Sequence, residues 1–265
     1  MRVRFAQRFF ANGSFSNFKP VAHGVPQGSI LGPLLFCVFI NDLPLLIRNK
    51  EVNVDLFADD STLSVTSKEL SVIKSKLQES ILDVDAWCSS NKMTLNPKKS
   101  KCMVISSRQM HQKHNLSINL KLDDEVIEQV QSHKVLGVII DEKLSWIHHI
   151  NFVQKKFSRN VFLLSRLKLF VSRQALKIFF HAHCLSHLNY ASIVWCNADK
   201  SNLKSIERIL KRGIRIMHNQ PTMSTQEKFI NLNMLTLDKL FKYNIGITIF
   251  KQSNGSSSLK GLVYL

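Results

Sequence analysis

Asp59 and Asp60 are adjacent carboxylates between two short strand-like stretches, residues 52–57 and 61–65. Hard cations such as Mg2+ take carboxylate oxygens together with the phosphates of a substrate. Neighbouring residues on a regular strand point to opposite faces, but a tight turn can bring both carboxylates toward one ion. Alone, such a pair is more often an exposed turn. A second chemical feature lies at residues 201–218, which read as a helix. At about 100° per residue, Lys204, Arg208, Lys211, Arg212 and Arg215 form one stripe, and Leu203, Ile206, Leu210, Ile214 and Met217 lie opposite. An ordinary solvated face mixes signs, whereas here Glu207 is almost the sole anion. A stripe this one-sided suits phosphates, which release counterions when neutralised. A third cluster, His181, His183, Cys184 and His187 with Cys196 beyond, has the i,i+4 histidine spacing of a zinc pair but matches no finger pattern. Packing is the plainer reading there. There is no phosphate-cradling G-x-x-x-x-G-K-S/T loop and no nucleophile elbow.

Several elements must position these groups. Phe5 and Phe9 lead into Asn12-Gly13, a type I′ turn signal, and then Phe15 and Phe18, which predicts a β-hairpin. Ser29 is a candidate N-cap for an apolar helix ending near Leu43-Pro44. The two stretches flanking the aspartates predict a strand pair joined by Ala58-Asp59-Asp60. Thr66-x-x-Glu69 reads as a capping box for a helix whose face is Leu70, Ile73, Leu77, Ile81, Val84 and Cys88, with Asn91 as its stop. Residues 101–106 and 134–140 look like strands. Helices follow near 151–169, 173–188 and 201–218, with Ser172 and Ser201 as caps. Trp87, Trp146 and Trp195 read as core anchors.

The chain has 265 residues and a formal net charge of +17. Residues 155–217 hold thirteen basic groups against two acidic ones, Asp199 and Glu207, so eleven of those charges fall in the helical half. The excess favours a polyanionic partner, most often nucleic acid. A composition of 45% hydrophobic residues excludes disorder. No stretch reaches the roughly 18 apolar residues of a membrane span. The five scattered cysteines form no C-x-x-C, and no signal-peptide stretch opens the sequence, which together predict an intracellular protein, nuclear or cytoplasmic.

Ordered motifs sharpen this reading. Gly24-Val-Pro-Gln-Gly-Ser, continuing through the apolar run to Asn41-Asp42-Leu43-Pro44, resembles the motif that precedes the catalytic hairpin in reverse transcriptases of non-LTR (LINE-type) retrotransposons. Phe57-Ala-Asp-Asp is similar to that family's F/Y-A-D-D box. Leu95-Asn-Pro-Lys-Lys-Ser resembles its L-N-x-x-K-T/S motif. Leu136-Gly-Val-Ile-Ile-Asp with Leu144-Ser-Trp and His149-Ile resembles the segment that ends its palm. Tyr190-Ala-Ser-Ile-Val-Trp195 resembles its Y-G/A-x-x-V/I-W. The pattern is most like the jockey and CR1-like elements.

The resemblance implies an α+β fold. A partial polymerase palm of antiparallel strands with packing helices would occupy residues 1–145, a mainly helical, basic thumb-like region 146–252, and a flexible tail 253–265. It implies RNA-directed DNA polymerase chemistry with Mg2+ or Mn2+, a dNTP substrate, an RNA template and a DNA primer. Asp59 would hold metal, with Asp60 assisting. Phe57 would lie beneath the primer terminus or the nucleotide. Gln27 and Gly28 would lie against the templating pair, Lys99 would stand near the triphosphate, and Leu136 and Gly137 would grip the primer. The basic stripe would meet the duplex backbone. Two-metal transfer needs a further carboxylate, which the family takes from an earlier F-x-D-x-x-K-A-F-D motif; no Asp precedes Asp42 here. The expectation is therefore an N-terminally truncated domain, inactive alone and open at one edge of its sheet. The alternative is a non-catalytic nucleic-acid-binding remnant.

Overall fold

The computed structural model describes residues 5–21, 28–113, 115–218 and 220–254. Its contacts form two compact units. One contains the described residues up to 104 together with 115–129, and the other contains 105–113 and 130–254. Residues 130–145, read from sequence with the first domain, thus pack in the helical unit.

The first unit opens with β1 (Phe5–Gln7), β2 (Phe10–Ala11), β3 (Ser14–Phe15) and β4 (Lys19–Val21). They nest as two antiparallel pairs, β2 with β3 inside β1 with β4. Asn12 and Gly13 both have positive φ, as a type I′ turn requires. The apolar helix α1 (Gly32–Ile40) ends before Asn41. Leu43-Pro44 begins a separate short helix, α2 (Leu43–Leu46), instead of ending α1, because proline is well placed in a first turn. Ser29 does accept the Gly32 N–H at 2.9 Å, but Leu31 occupies the cap position.

The hairpin of β5 (Asn53–Phe57) and β6 (Asp60–Ser64) is antiparallel, with Phe57 opposite Asp60 and Asp55 opposite Thr62. Val54, Leu56 and Leu63 pack against a core of Ile40, Leu43, Ile47, Val84, Trp87 and Cys88. Helix α3 (Leu70–Ser90) lies between this core and a second one built on Ile81, Val104, Ile118 and Leu120. The capping box expected at Thr66 does not form: the helix begins at Leu70, so Glu69 is itself the cap residue and makes no side-chain cap bond. Asn91 does stop the helix, with its N–H on the Trp87 and Cys88 carbonyls. The strand expected over 101–106 is only β7 (Lys101–Cys102), paired in parallel with β10 (Glu128–Gln129). The remaining pair is β8 (Lys121–Leu122) with β9 (Glu125–Val126). Among the described residues every sheet has two strands.

The second unit contains α4 (Arg108–Lys113) and a hairpin of β11 (Ser132–Val135) and β12 (Val138–Asp141). The single strand expected over 134–140 is therefore two. Leu136 (φ +46°) and Gly137 (φ +86°) both enter the left-handed region and reverse the chain. Helix α5 (Ile147–Leu167) follows, with a buried face of Ile150, Val153, Phe157, Val161 and Leu164. The helix expected over 173–188 is one run in three parts: α6 (Arg173–Phe179), a π-helical segment (Phe180–Leu185) and α7 (Ser186–Asn189). Ser172 caps it, accepting the Ala175 N–H at 3.3 Å. After α8 (Ser192–Trp195) comes α9 (Lys200–Met217), whose cap lies two residues before the expected one. Ser201 is inside the helix and Asp199 holds the cap position. Helices α10 (Thr225–Asn231) and α11 (Leu237–Ser253) complete the unit. The tail expected from 253 lies outside the described residues beyond Asn254. Trp146 and Trp195 are buried here, as Trp87 is in the first unit. No described helix is long and apolar enough to cross a membrane.

Candidate active site and nucleic-acid interface

The tip of the β5–β6 hairpin follows from its register. Phe57 pairs with Asp60, which leaves Ala58 and Asp59 as a two-residue loop. Ala58 takes φ +52°, a conformation that costs an L-residue about 1–2 kcal/mol relative to its ordinary regions. Cross-strand partners share a face, so Asp60 lies on the outer face with Phe57 and Asp55, away from the core-facing Val54, Leu56 and Leu63. Asp59, Asp60 and Phe57 are all exposed, Phe57 to 63%. Neither aspartate makes an ion pair among the described residues. Two free carboxylates on one tip fit a hard cation that takes its other ligands from water or phosphate. No third His, Cys, Asp or Glu of the described residues joins them in a group able to hold a metal.

Lys99 is exposed in a turn whose backbone N–H donates to the Asn96 carbonyl at 3.1 Å. Met93 and Leu95 pack on the same core as Val54, Leu56 and Leu63, so that turn and the carboxylate hairpin share one base. Among the described residues no hydrogen bond or ion pair joins Lys99 to either aspartate. Gly28 has φ +81°, which glycine adopts without steric cost; Gln27 lies outside the described residues. Asp42 accepts the Trp87 indole N–H at 3.1 Å, a structural use of that carboxylate.

In the helical unit, α9 keeps its two faces. Ile206, Leu210, Ile214 and Met217 are buried, and Lys204, Arg208, Arg212 and Arg215 are exposed. Lys211 differs: its ammonium lies 2.7 Å from the Glu207 carboxylate one turn earlier, whereas the other four cations make no ion pair among the described residues. The Arg215 Nε–H donates to the Lys211 carbonyl at 3.2 Å.

The β11–β12 turn is held from a distance. The Tyr190 hydroxyl donates to the Leu136 carbonyl at 2.6 Å, and a Cβ on Gly137 would lie 3.3 Å from the Tyr190 ring. Tyr190 in turn offers its carbonyl to the Trp195 indole N–H at 3.2 Å. Downstream, buried Asp141 accepts the backbone N–H groups of Lys143, Ser145 and Trp146 and the Ser145 hydroxyl. Burial opposes its ionisation, but these four bonds outweigh that and hold the carboxyl below the usual aspartate range. They also fix Trp146 at φ +62°, from which α5 starts.

The histidine–cysteine cluster disperses along its helix. Burial pushes the Cys184 thiol up to about 12, and Cys196 is also raised. The His187 Nε2 accepts from the Asn160 amide at 3.1 Å. Among the described residues these side chains form no metal-binding group.

Residues 2–140 match the family model described as reverse transcriptase (RNA-dependent DNA polymerase). The chain belongs to the reverse transcriptase family. Over 218 residues it is 28% identical to the RNA-directed DNA polymerase from mobile element jockey of Drosophila melanogaster, covering 79% of the chain and 23% of that relative. It is 26% identical over 220 residues to the probable RNA-directed DNA polymerase from transposon BS of the same fly, covering 78% of the chain and 24% of the relative. With a Pol polyprotein of the R1 element of Nasonia vitripennis it shares 23% identity over 145 residues, covering 54% of the chain and 35% of the relative. These reverse transcriptase relatives come from non-LTR retrotransposons. The chain spans about a quarter of the length of the first two. No solved structure matches it. The family match contains the carboxylate hairpin and the Leu136-Gly137 turn, whereas α9 lies beyond it.

Sequence reasoning missed how Tyr190, His149 and Asp141 are used. The Ile139 N–H donates to His149 Nδ1 at 3.2 Å, and for all three residues the partner includes a backbone group that no residue pattern displays.

Proposed function

We propose that this chain is part of an RNA-directed DNA polymerase, and that Asp59 and Asp60 are its metal-holding carboxylates. The observation that carries the reading is the exposed Asp59–Asp60 tip, without an ion pair among the described residues, inside the residues matched to the reverse transcriptase family. A divalent cation, Mg2+ or Mn2+, would supply neutralisation of phosphate charge during nucleotidyl transfer from a dNTP to the primer 3′-hydroxyl. The unit carrying the hairpin is palm-like in this reading, and the helical unit is thumb-like. Phe57 supports the primer terminus or nucleotide, Gln27 and Gly28 the templating pair, and Lys99 the triphosphate. Leu136 and Gly137 grip the primer. Lys204, Arg208, Arg212 and Arg215 hold the backbone of an RNA–DNA duplex, with Lys211 partly committed to Glu207.

The 265-residue polypeptide by itself binds such a duplex without extending the primer, because two carboxylates are one fewer than two-metal transfer uses. Primer extension with purified chain, Mg2+, an RNA template and a DNA primer tests this. Hybrid binding without extension is the expected result. Processive extension that Asp59→Ala abolishes would overturn the inactivity, and absence of hybrid binding would overturn the polymerase reading of the helical unit. A second reading, a nucleic-acid-binding remnant without catalysis, is favoured by the placement of the positive charge in the helical unit.

A further inference from the structure

The nested β1–β4 hairpin carries a row of planar side chains on its surface. Phe10 and Phe15 are cross-strand partners in the β2–β3 pair, with ring centroids 4.6 Å apart. The Arg8 guanidinium lies 3.9 Å from the Phe15 centroid and 4.8 Å from that of Phe18, both within cation–π range. Three rings and one guanidinium thus form a continuous patch. Phe10, Phe15 and Phe18 are 62%, 58% and 63% exposed, so the patch faces outward. Ser16 fixes the backbone beside Arg8: its N–H donates to the Phe9 carbonyl at 2.8 Å, and its hydroxyl accepts the Phe9 N–H at 2.8 Å.

The charge around the patch is one-sided. Residues 1–41 contain four basic groups and no carboxylate. Arg8 makes no ion pair among the described residues. An apolar protein surface laid over these rings would strip water from the guanidinium and give it no acceptor. A second copy of the hairpin would set arginine against arginine. A duplex keeps its base faces stacked on one another, which leaves none for the phenylalanines. An unpaired strand supplies both complements, free base faces for the rings and phosphate oxygens for the arginine.

We propose that the β1–β4 hairpin is a stacking platform for single-stranded nucleic acid, in which Phe10, Phe15 and Phe18 take unpaired bases and Arg8 holds a backbone phosphate. Stacking on a ring tolerates every base, so the platform binds without sequence preference. It uses neither the Asp59–Asp60 tip nor the α9 stripe, and it stands whether or not the polymerase reading holds.

The test is 19F NMR of the full chain carrying 4-fluorophenylalanine at position 15 or 18, titrated with short oligothymidylate or oligouridylate. A saturable shift at both positions is expected. With the reporter at position 15, Phe18→Leu should raise the titration midpoint about five- to hundredfold, the loss of one base stack, and Phe18→Tyr should restore it. Phe18 lies outside the paired strands, so its replacement leaves the ladder bonds intact. With the reporter at position 18, Phe15→Leu should act likewise. Arg8→Gln should flatten the salt dependence of the midpoint by somewhat under one unit of slope. Arg212→Gln on α9 should leave the shifts unchanged, which separates the platform from duplex binding. A preference for oligothymidylate assigns the natural strand to DNA and one for oligouridylate to RNA; either supports the platform, as does equal binding. No saturable shift in the parent chain, or midpoints unmoved in both leucine variants, would overturn it. So would shifts that follow protein concentration without oligonucleotide, which would give the face to a second copy.

Discussion

Tyr190 closes the β11–β12 turn: its hydroxyl donates to the Leu136 carbonyl at 2.6 Å, across 54 residues of sequence. The same ring leaves no easy room for a side chain at Gly137, where a Cβ would lie 3.3 Å from it and φ is already +86°. Tyr190→Phe removes one hydrogen bond and should cost about 1 kcal/mol. Gly137→Ala meets the ring and the left-handed backbone together and should cost about 1–2 kcal/mol. Denaturant unfolding of the two variants checks both. Equal stability of Gly137→Ala and the parent would remove the reason given for glycine at this turn.

Asp141 makes the turn into α5 sensitive to acid. Its folded-state pKa is lowered by four hydrogen bonds against the opposing effect of burial. A depressed carboxyl contributes stability that is full above its unfolded pKa and is lost as pH falls through the folded one. Asp141→Asn should therefore cost about 2 kcal/mol at neutral pH, since hydrogen bonds to a charged acceptor are the strong ones. The gap between variant and parent should close as the pH drops below the ordinary aspartate range. Thermal unfolding across that range measures it; a gap independent of pH would mean that the charge contributes nothing.

How far the sequence could be read depended on whether a feature is local. The two faces of α9 were legible because Ile206, Leu210 and Ile214 repeat at helical spacing, and burial follows that spacing. The Phe57–Asp60 tip was legible because alternation and a tight turn leave little choice of register. Residues 134–140 misled because Leu136-Gly137 lacks the usual Asn-Gly signal, and its left-handed leucine is held by a tyrosine 54 residues away. Thr66 and Ser201 had the composition of caps, yet packing started each helix elsewhere. Capping propensity, about 1 kcal/mol, yields to core burial of several side chains.

The α9 stripe predicts a salt dependence. Arg208, Arg212 and Arg215 are exposed and make no ion pair among the described residues, whereas Lys211 already faces Glu207 at 2.7 Å. Replacing the three arginines by glutamine should reduce the slope of log affinity against log salt by about 3, since each phosphate left without its cation removes about one unit of slope. Lys211→Gln should change it less. Filter binding of an RNA–DNA hybrid at several salt concentrations gives both slopes, and equal effects from Lys211 and the arginines would sink the assignment of the outer face.

Gly213 sets how closely α9 approaches the π-helical segment. A Cβ there would lie 2.4 Å from Phe180 Cε2 and 3.0 Å from its Cζ, and Phe180 is fully buried, so the ring has nowhere to retreat. Gly213→Ala gains up to about 1 kcal/mol of helix propensity but must overpack the core, at about 1–3 kcal/mol. The net effect should be destabilising. If the ring is the cause, Phe180→Leu should relieve it, and the double variant should be more stable than the sum of the single changes. Unfolding free energies of the four proteins form the required cycle. Simple additivity would mean that the alanine acts elsewhere, and that the approach of α9 to Phe180 does not require the glycine.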